Sequence, residues 1–166
     1  MPLEKFDCIV IGLGGMGSAT LFELKKQGQN VMGIEQFSIP HERGSSHGLS
    51  RIIRLAYFEH PSYIPLLKRS YVKWKELENQ SKEELLIKTG SIDASLPHDP
   101  IFKGSLKSCL DYKLDHDVID GMNLKEKFPG YDLPKNFKAV HQPDGGILLP
   151  EKCITAFAMI AKKSKT

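Results

Sequence analysis

Cysteine is scarce in this chain. Only three occur in 166 residues (Cys8, Cys109, Cys153), an odd and widely spaced set without a CxxC pair. That count argues for reduced thiols and against a disulfide framework or a zinc site. Long apolar runs are missing too. The longest candidate, residues 8–16, is short and rich in glycine, whereas a bilayer span needs ~18–20 apolar residues, so no membrane partner is expected. Neither sign of charge is in large excess: 23 Lys and Arg stand against 20 Asp and Glu, a formal +3. The lysines are scattered and no basic stripe is interleaved with aromatics, so no nucleic-acid partner is expected. Met1-Pro2-Leu3-Glu4-Lys5 is not followed by the apolar core and small-residue cleavage site of a secretory signal, which predicts an intracellular, cytoplasmic protein. Repeats and low-complexity segments are absent. What is present, 40 % hydrophobic, 26 % charged and 8 % aromatic residues, is an ordinary globular composition. At this length a single domain is the first expectation.

Residues 6–11 form a short β-branched run that reads as a buried parallel strand. Glycines at 12, 14, 15 and 17 follow, then a helix over 18–27 stopped by Gly28, and a second strand over 30–35 that ends on an acid. Together these make a βαβ unit. The loop at 38–50 is long enough to be functional. A helix is predicted over 61–80, with Tyr63, Leu67, Tyr71, Trp74 and Leu77 as its core stripe. Beyond it the pattern gives a strand over 86–92 with a glycine inside, a helix over 101–113 and a strand near 118–119. A β-hairpin turning at Pro143-Asp144-Gly145 and an amphipathic helix over 151–163 complete the reading. The chain stops soon after that helix, which is abrupt for an α/β unit, so it reads as the N-terminal portion of a longer protein.

Gly12-x-Gly14-x-x-Gly17 is the strongest local signal. Three glycines at that spacing are weak evidence alone, but here a strand precedes them, a helix opens within them, and Glu35 ends the next strand eighteen residues after Gly17. Gly12 permits a tight turn, Gly14 lets the backbone approach a pyrophosphate, and Gly17 allows close helix–strand packing. The helix N-terminus offers N–H groups to the anion, and Glu35 can accept hydrogen bonds from an adenosine ribose. The motif does not separate NAD from FAD. Further on, His47-Gly48-x-x-Arg51-x-x-Arg54 places a histidine and two arginines within eight residues. If the segment is helical the arginines share a face and call for a nearby anion; a solvated basic loop has the same composition.

The stretch Ile34-Glu35-Gln36-Phe37, Pro40-His41, Gly44-Ser45, His47-Gly48, Arg51-Ile52-Ile53-Arg54 and Ala56-Tyr57 resembles the monomeric sarcosine oxidase and N-methyltryptophan oxidase family. These are FAD-dependent amine oxidases of the glycine/D-amino-acid oxidase superfamily. The resemblance continues through Tyr63, Pro65-Leu66, Trp74, Leu77-Glu78, Lys88-Thr89-Gly90, Phe128-Pro129-Gly130, Gly146-Ile147-Leu148 and Glu151-x-Cys153-Ile154. It implies an α/β fold: a FAD-linked Rossmann-type βαβ domain with the beginning of an α+β substrate-binding domain. The expected boundaries are 1–82 for the FAD-binding part, 83–150 for part of the substrate domain, and 151–166 for a helix returning to the first. The implied activity is oxidation of a secondary amine, in sarcosine or another N-alkyl amino acid, to an imine with oxygen as acceptor and hydrogen peroxide as product. A flavin dehydrogenase using another acceptor, and a non-catalytic split fragment, are the alternatives.

Carried over by residue, the resemblance implies that Gly12, Gly14 and Gly17 hold the FAD pyrophosphate and Glu35 the adenosine ribose. Gly44, Ser45 and Ser50 then line the loop passing the flavin. His47 and Arg51 lie near its ring, and Arg54 binds the carboxylate of a small amino-acid substrate, for which a guanidinium fork is the best match. A cation beside the ring favours the negative charge that develops on it. Family members are more than twice this length. The absent C-terminal half, which is expected to be required for activity, supplies a lysine near the flavin and a cysteine that holds it covalently. None of the three cysteines here takes that place; Cys8 and Cys153 read as inert and Cys109 as partly exposed. A second histidine common in the family is Ser46 here. A peroxisomal address, the alternative to the cytoplasm, sits in relatives at a C-terminus this chain lacks. The remaining histidines (His41, His60, His98, His116, His141) are isolated, so no metal site is expected. Asp111, Asp115, Asp117 and Asp120 lack the glycine and terminal glutamate of a calcium loop.

Overall fold

A computed structural model describes residues 4–163. The elements in chain order are β1 (Cys8–Ile11), α1 (Gly15–Lys26), β2 (Val31–Ile34), β3 (Arg51–Ile53) and, after a 3₁₀ turn at Pro61–Tyr63, α2 (Ile64–Ser81). Then come β4 (Leu86–Lys88), β5 (Ser91–Ser95), α3 (Pro100–Tyr112), β6 (Asp117–Asp120), α4 (Gly121–Lys127), β7 (Lys138–Gln142), β8 (Gly146–Leu148) and α5 (Pro150–Lys163). The chain divides into two compact units. One comprises Met1–Arg51, Trp74–Leu86 and Leu148–Thr166, the other Ile52–Lys73 and Ile87–Ile147. Residues 52–73, grouped with the first 82 by sequence, thus belong to the second unit, because the side chains of Leu55, Ala56, Ile64, Leu67 and Tyr71 enter its core.

The first unit is the βαβ turn with two further helices on it. β1 and β2 pair in parallel from Cys8↔Val31 to Ile11↔Ile34, joined by α1, as a right-handed crossover requires. Val10, Leu21, Phe22 and Val31 form a core with Leu77, Leu85 and Cys153. Phe157 of α5 meets Phe22 at 5.3 Å and Trp74 at 5.6 Å between ring centroids. Glu78 closes the exit of α2: its Oε1 accepts the N–H groups of Leu85 (2.9 Å) and Leu86 (3.1 Å). Burial works against that charge, but the two N–H donors together with the Lys75 ammonium hold the carboxyl below its ordinary range. β1 is not a fully buried strand. Val10 enters the core, while Ile9 and Ile11 are exposed, because the helices cover one face of a two-stranded sheet.

The second unit is α+β. Its sheet has the order β5-β7-β6, antiparallel throughout. α3 lies against the segment 55–58 through small residues. A Cβ on Gly104 would stand 2.1 Å from the Phe58 carbonyl oxygen, the hydroxyl of fully buried Ser108 donates to the Tyr57 carbonyl, and that of fully buried Ser105 lies 3.3 Å from the Ala56 carbonyl oxygen. That packing fixes the backbone on both sides of Tyr57, three residues beyond Arg54.

Several elements depart from the sequence reading. The strand expected over 86–92 is two strands, β4 and β5, broken where Gly90 takes φ +76°. The turn at 142–145 forms, with Gly145 N–H on the Gln142 carbonyl at 3.2 Å, but the hairpin does not. β7 pairs with β5 and β6, whereas β8 lies between β3 and β4 in another sheet. α4 and β3 were not foreseen, being too short to establish a period. The aromatic stripe of the long helix is shared between cores: Leu67 and Tyr71 serve one unit and Trp74 and Leu77 the other, while Tyr63 is half exposed. Cys109 is buried, not partly exposed, since it shares a helical face with Phe102. No described helix is long and apolar enough to cross a membrane.

Burial pushes the thiols up to about 11 at Cys109 and about 12 at Cys153, so at pH 8 about 0.1 % or less of either is thiolate. Native alkylation with iodoacetamide at pH 8 should therefore spare both and label only half-buried Cys8. Mass spectrometry of the tryptic peptides reads this; early labelling of Cys109 would contradict its place in the core.

Candidate functional site

The glycines of the first loop have three separate jobs. Gly12 sits at φ +84°, where an L side chain is strained. Gly17 lets α1 cross the end of β1, since a Cβ there would lie 1.7 Å from the Gly12 carbonyl oxygen. Gly14 caps α1 with no side-chain hydrogen bond, and a Cβ built on it meets nothing within 4 Å. The N-terminus of a twelve-residue helix thus opens onto free space beside backbone N–H groups, the arrangement that suits an anion. Ser46 takes the Gly15 N–H on its hydroxyl at 3.2 Å.

Glu35 is bound to the same loop. Its Oε2 accepts the Leu13 N–H at 2.7 Å, and its Oε1 accepts the N–H groups of Gln36 at 2.7 Å and Phe37 at 3.1 Å. The Leu13 and Phe37 N–H groups hold its carboxyl below the usual range, and His41 Nε2 at 3.6 Å acts in the same direction. Oε2, with a single N–H partner among these bonds, keeps acceptor capacity for a hydroxyl. Sequence spacing offered no hint of the Leu13 or His41 contacts.

The loop from 38 to 50 is closed by Arg51. Its guanidinium donates to the carbonyls of Ser45 and Ser50 at 2.8 Å and to that of His47. Gly44 makes the turn whose carbonyl accepts the His47 N–H at 3.2 Å. The His47 ring reaches Glu151 at the start of α5, Nδ1 to Oε1 2.6 Å. Both side chains are half exposed. Glu151 is a partner no local pattern announced, since 104 residues separate the two.

Arg54 lies in the second unit. Residues 51–53 are strand β3, not helix, so Arg51 and Arg54 do not share a helical face. Arg54 Nη1 donates to Asp93 Oδ1 at 2.8 Å and Nη2 to Glu59 at 3.2 Å, with the guanidinium 4.9 Å from the ring centroids of both Tyr57 and Phe58. The hydroxyl of Ser105 holds the other Asp93 oxygen at 2.7 Å. Arg54 and Asp93 both line a cavity of about 660 Å³ with Tyr57, Ile92, Tyr131 and Ile147. Among the described residues no group of three His, Cys, Asp or Glu side chains is arranged to hold a metal ion.

Comparison with known proteins gives this geometry a context. The family described as FAD dependent oxidoreductase matches residues 7–165. The monomeric sarcosine oxidase of Streptomyces avermitilis is 38 % identical over 158 residues, 95 % of this chain and 41 % of that protein. The N-methyl-L-tryptophan oxidase of Yersinia pestis is 34 % identical over 149 residues, 90 % of this chain and 40 % of that one. The crystal structure of NikD, an amino acid oxidase essential for nikkomycin biosynthesis, superposes with a TM-score of 0.83 over 98 % of this chain and 42 % of NikD, at 22 % identity. The chain thus spans about 40 % of the length of the curated relatives it matches.

Gly14 and Gly17 should separate in a thermal melt. Gly17→Ala forces a backbone clash and should cost about 3 kcal/mol or more. Gly14→Ala, at φ −70° with open space beyond, should cost less than about 1 kcal/mol. Glu35 gives a pH signature. Its folded carboxyl titrates below its ordinary 4.5, so the stability it contributes is complete above that pH and is lost as pH falls through the lower folded value. The Tm advantage of the parent over Glu35→Gln should therefore be full at pH 7 and shrink as the pH falls below 4.5; a constant difference would contradict the pairing.

Proposed function

The chain belongs to the FAD dependent oxidoreductase family, and from that membership we propose that it forms the dinucleotide-binding and carboxylate-reading part of an enzyme that oxidises the secondary amine of a small N-alkyl amino acid. Oxygen is the acceptor in this reading, giving the imine and hydrogen peroxide. The observation that carries the proposal is the open space over Gly14, beside a helix N-terminus and a fixed, ionised Glu35. These residues fit the pyrophosphate and ribose of FAD. The names of the relatives, monomeric sarcosine oxidase and N-methyl-L-tryptophan oxidase, support the substrate class.

Each residue then has a defined task. Gly12 and Gly17 shape the loop, Gly14 lets the pyrophosphate reach the backbone, and Glu35 accepts a ribose hydroxyl. Gly44, Ser45 and Ser50 form the wall passing the flavin, which Arg51 keeps closed through its bonds to the carbonyls. His47, held by Glu151, faces the ring side of that loop. Arg54, pre-oriented by Asp93 and two aromatic rings, takes the substrate carboxylate. When bound, FAD supplies the two-electron acceptor for the C–H bond beside nitrogen. The part of the relatives beyond this match supplies the opposite wall, so the 166-residue chain alone should release no peroxide from sarcosine.

The test is to purify the product of the complete reading frame that contains this chain and assay it with N-methylglycine. Flavin absorbance, oxygen uptake and peroxide release are expected together. Dye reduction without oxygen uptake would assign a dehydrogenase, and absence of flavin would leave a non-catalytic fold. Gly14→Ala should fold but load less FAD. Arg54→Lys, which keeps the charge and loses the fork, should raise KM for N-methylglycine by roughly tenfold while flavin content and the rate with a matched N-methyl amine lacking a carboxylate stay near the parent's.

A further inference from the structure

We propose that Asp93 is a specificity-determining residue of the cavity around Arg54, turning it toward amino acids that carry a second cationic group. The proposal rests on the reading of Arg54 as the carboxylate ligand. Among the described residues lining the cavity, Arg54 is the only cation and Asp93 the only anion. They are already paired at 2.8 Å, with side chains 18 % and 11 % exposed. Asp93 cannot swing away cheaply, since its second oxygen is held at 2.7 Å by Ser105, whose side chain is fully buried and packed under Ala56. Glu59 takes the far edge of the guanidinium at 3.2 Å. The cluster of Arg54, Asp93 and Glu59 therefore carries a net charge of −1.

A substrate carboxylate docking on Arg54 meets the field of Asp93 at once. A ligand whose charge near this cluster is only a carboxylate is repelled in part, and one that brings an additional ammonium within reach of Asp93 regains that interaction. The space is there: about 660 Å³ falls within the range that holds drug-sized ligands, far beyond the few atoms of N-methylglycine. Tyr131 and Thr89 also line this cavity, beside the longer side chain. The ligand class is a basic N-alkyl amino acid.

The experiment compares kcat/KM for Nα-methyl-lysine and N-methylglycine in the flavin-loaded protein, parent against Asp93→Asn. Asparagine preserves shape: its Oδ1 can still accept from Arg54, and its Nδ2–H can donate to the Ser105 hydroxyl in place of the bond Oδ2 accepts. The ratio of the lysine to the glycine derivative should fall about tenfold, with the change in KM and not in kcat. Ser105→Ala, which loosens Asp93 but leaves its charge, should move the ratio less than twofold, separating charge from packing. If Asp93→Asn does not fold, Glu59→Gln at the exposed edge decides, with a shift in the same direction of about twofold. An unchanged or rising ratio overturns the proposal. If the parent oxidises no N-alkyl amino acid, the functional reading has failed on its own. The Asp93 effect is then read in the 166-residue chain by following the Arg54 Nε–H resonance during acetate titration. Acetate should bind Asp93→Asn about tenfold more tightly than the parent, and equal affinity overturns the proposal.

Discussion

The close passage of α1 over the Gly12 carbonyl is the constraint on which the first unit is built. It is possible only because residue 17 has no side chain: a Cβ would come to 1.7 Å of that oxygen. With the helix so placed, its N-terminus faces the loop, Gly14 is left open, and the Leu13 N–H points at the end of β2 where Glu35 receives it. Phe22 on the other side of the helix is then in reach of Phe157, which brings α5 and its Glu151 to the loop carrying His47. One steric fact near the start of the chain thereby organises groups more than a hundred residues apart.

The two arginines of the basic block illustrate how backbone geometry divides like charges. Three residues apart on a helix they would share a face and need a common anion. Here the segment is not helical, and each finds different partners: Arg51 three carbonyls of its own loop, Arg54 two carboxylates. The first arrangement shapes a loop and leaves the cation a full charge. The second cancels it, and the chemistry available at Arg54 is set as much by Asp93 as by the guanidinium.

Much of the first unit was legible because its signals are local. A β-branched run, glycines at fixed offsets, an apolar helix stopped at Gly28 and an acid closing the second strand all lie within thirty residues, and the structure places β1, α1 and β2 there. The resemblance carried by the His47–Arg54 block is borne out by the family match and by relatives at 34–38 % identity. The hairpin was misread for a physical reason. A turn needs only the four residues 142–145, whereas pairing needs the two strands to lack better partners, and β7 and β8 both have them in other sheets. The strand over 86–92 failed at Gly90, whose positive φ no pattern of side chains displays.

The sequence by itself determined the βαβ turn, the glycine loop, the acid at its far end and the family, since each depends on spacing along a few turns of chain. Only the tertiary structure decided which groups meet: Ser46 with Gly15, Asp93 with Arg54, Glu151 with His47, at separations of 31, 39 and 104 residues. Such pairs are formed by sheets and helices packing, and the free energy that selects them is spread over buried side chains such as Phe22, Ile64 and Phe102. A side chain's neighbours in sequence therefore report the element it belongs to, while its charge partner is chosen by the packing of elements the local pattern does not connect.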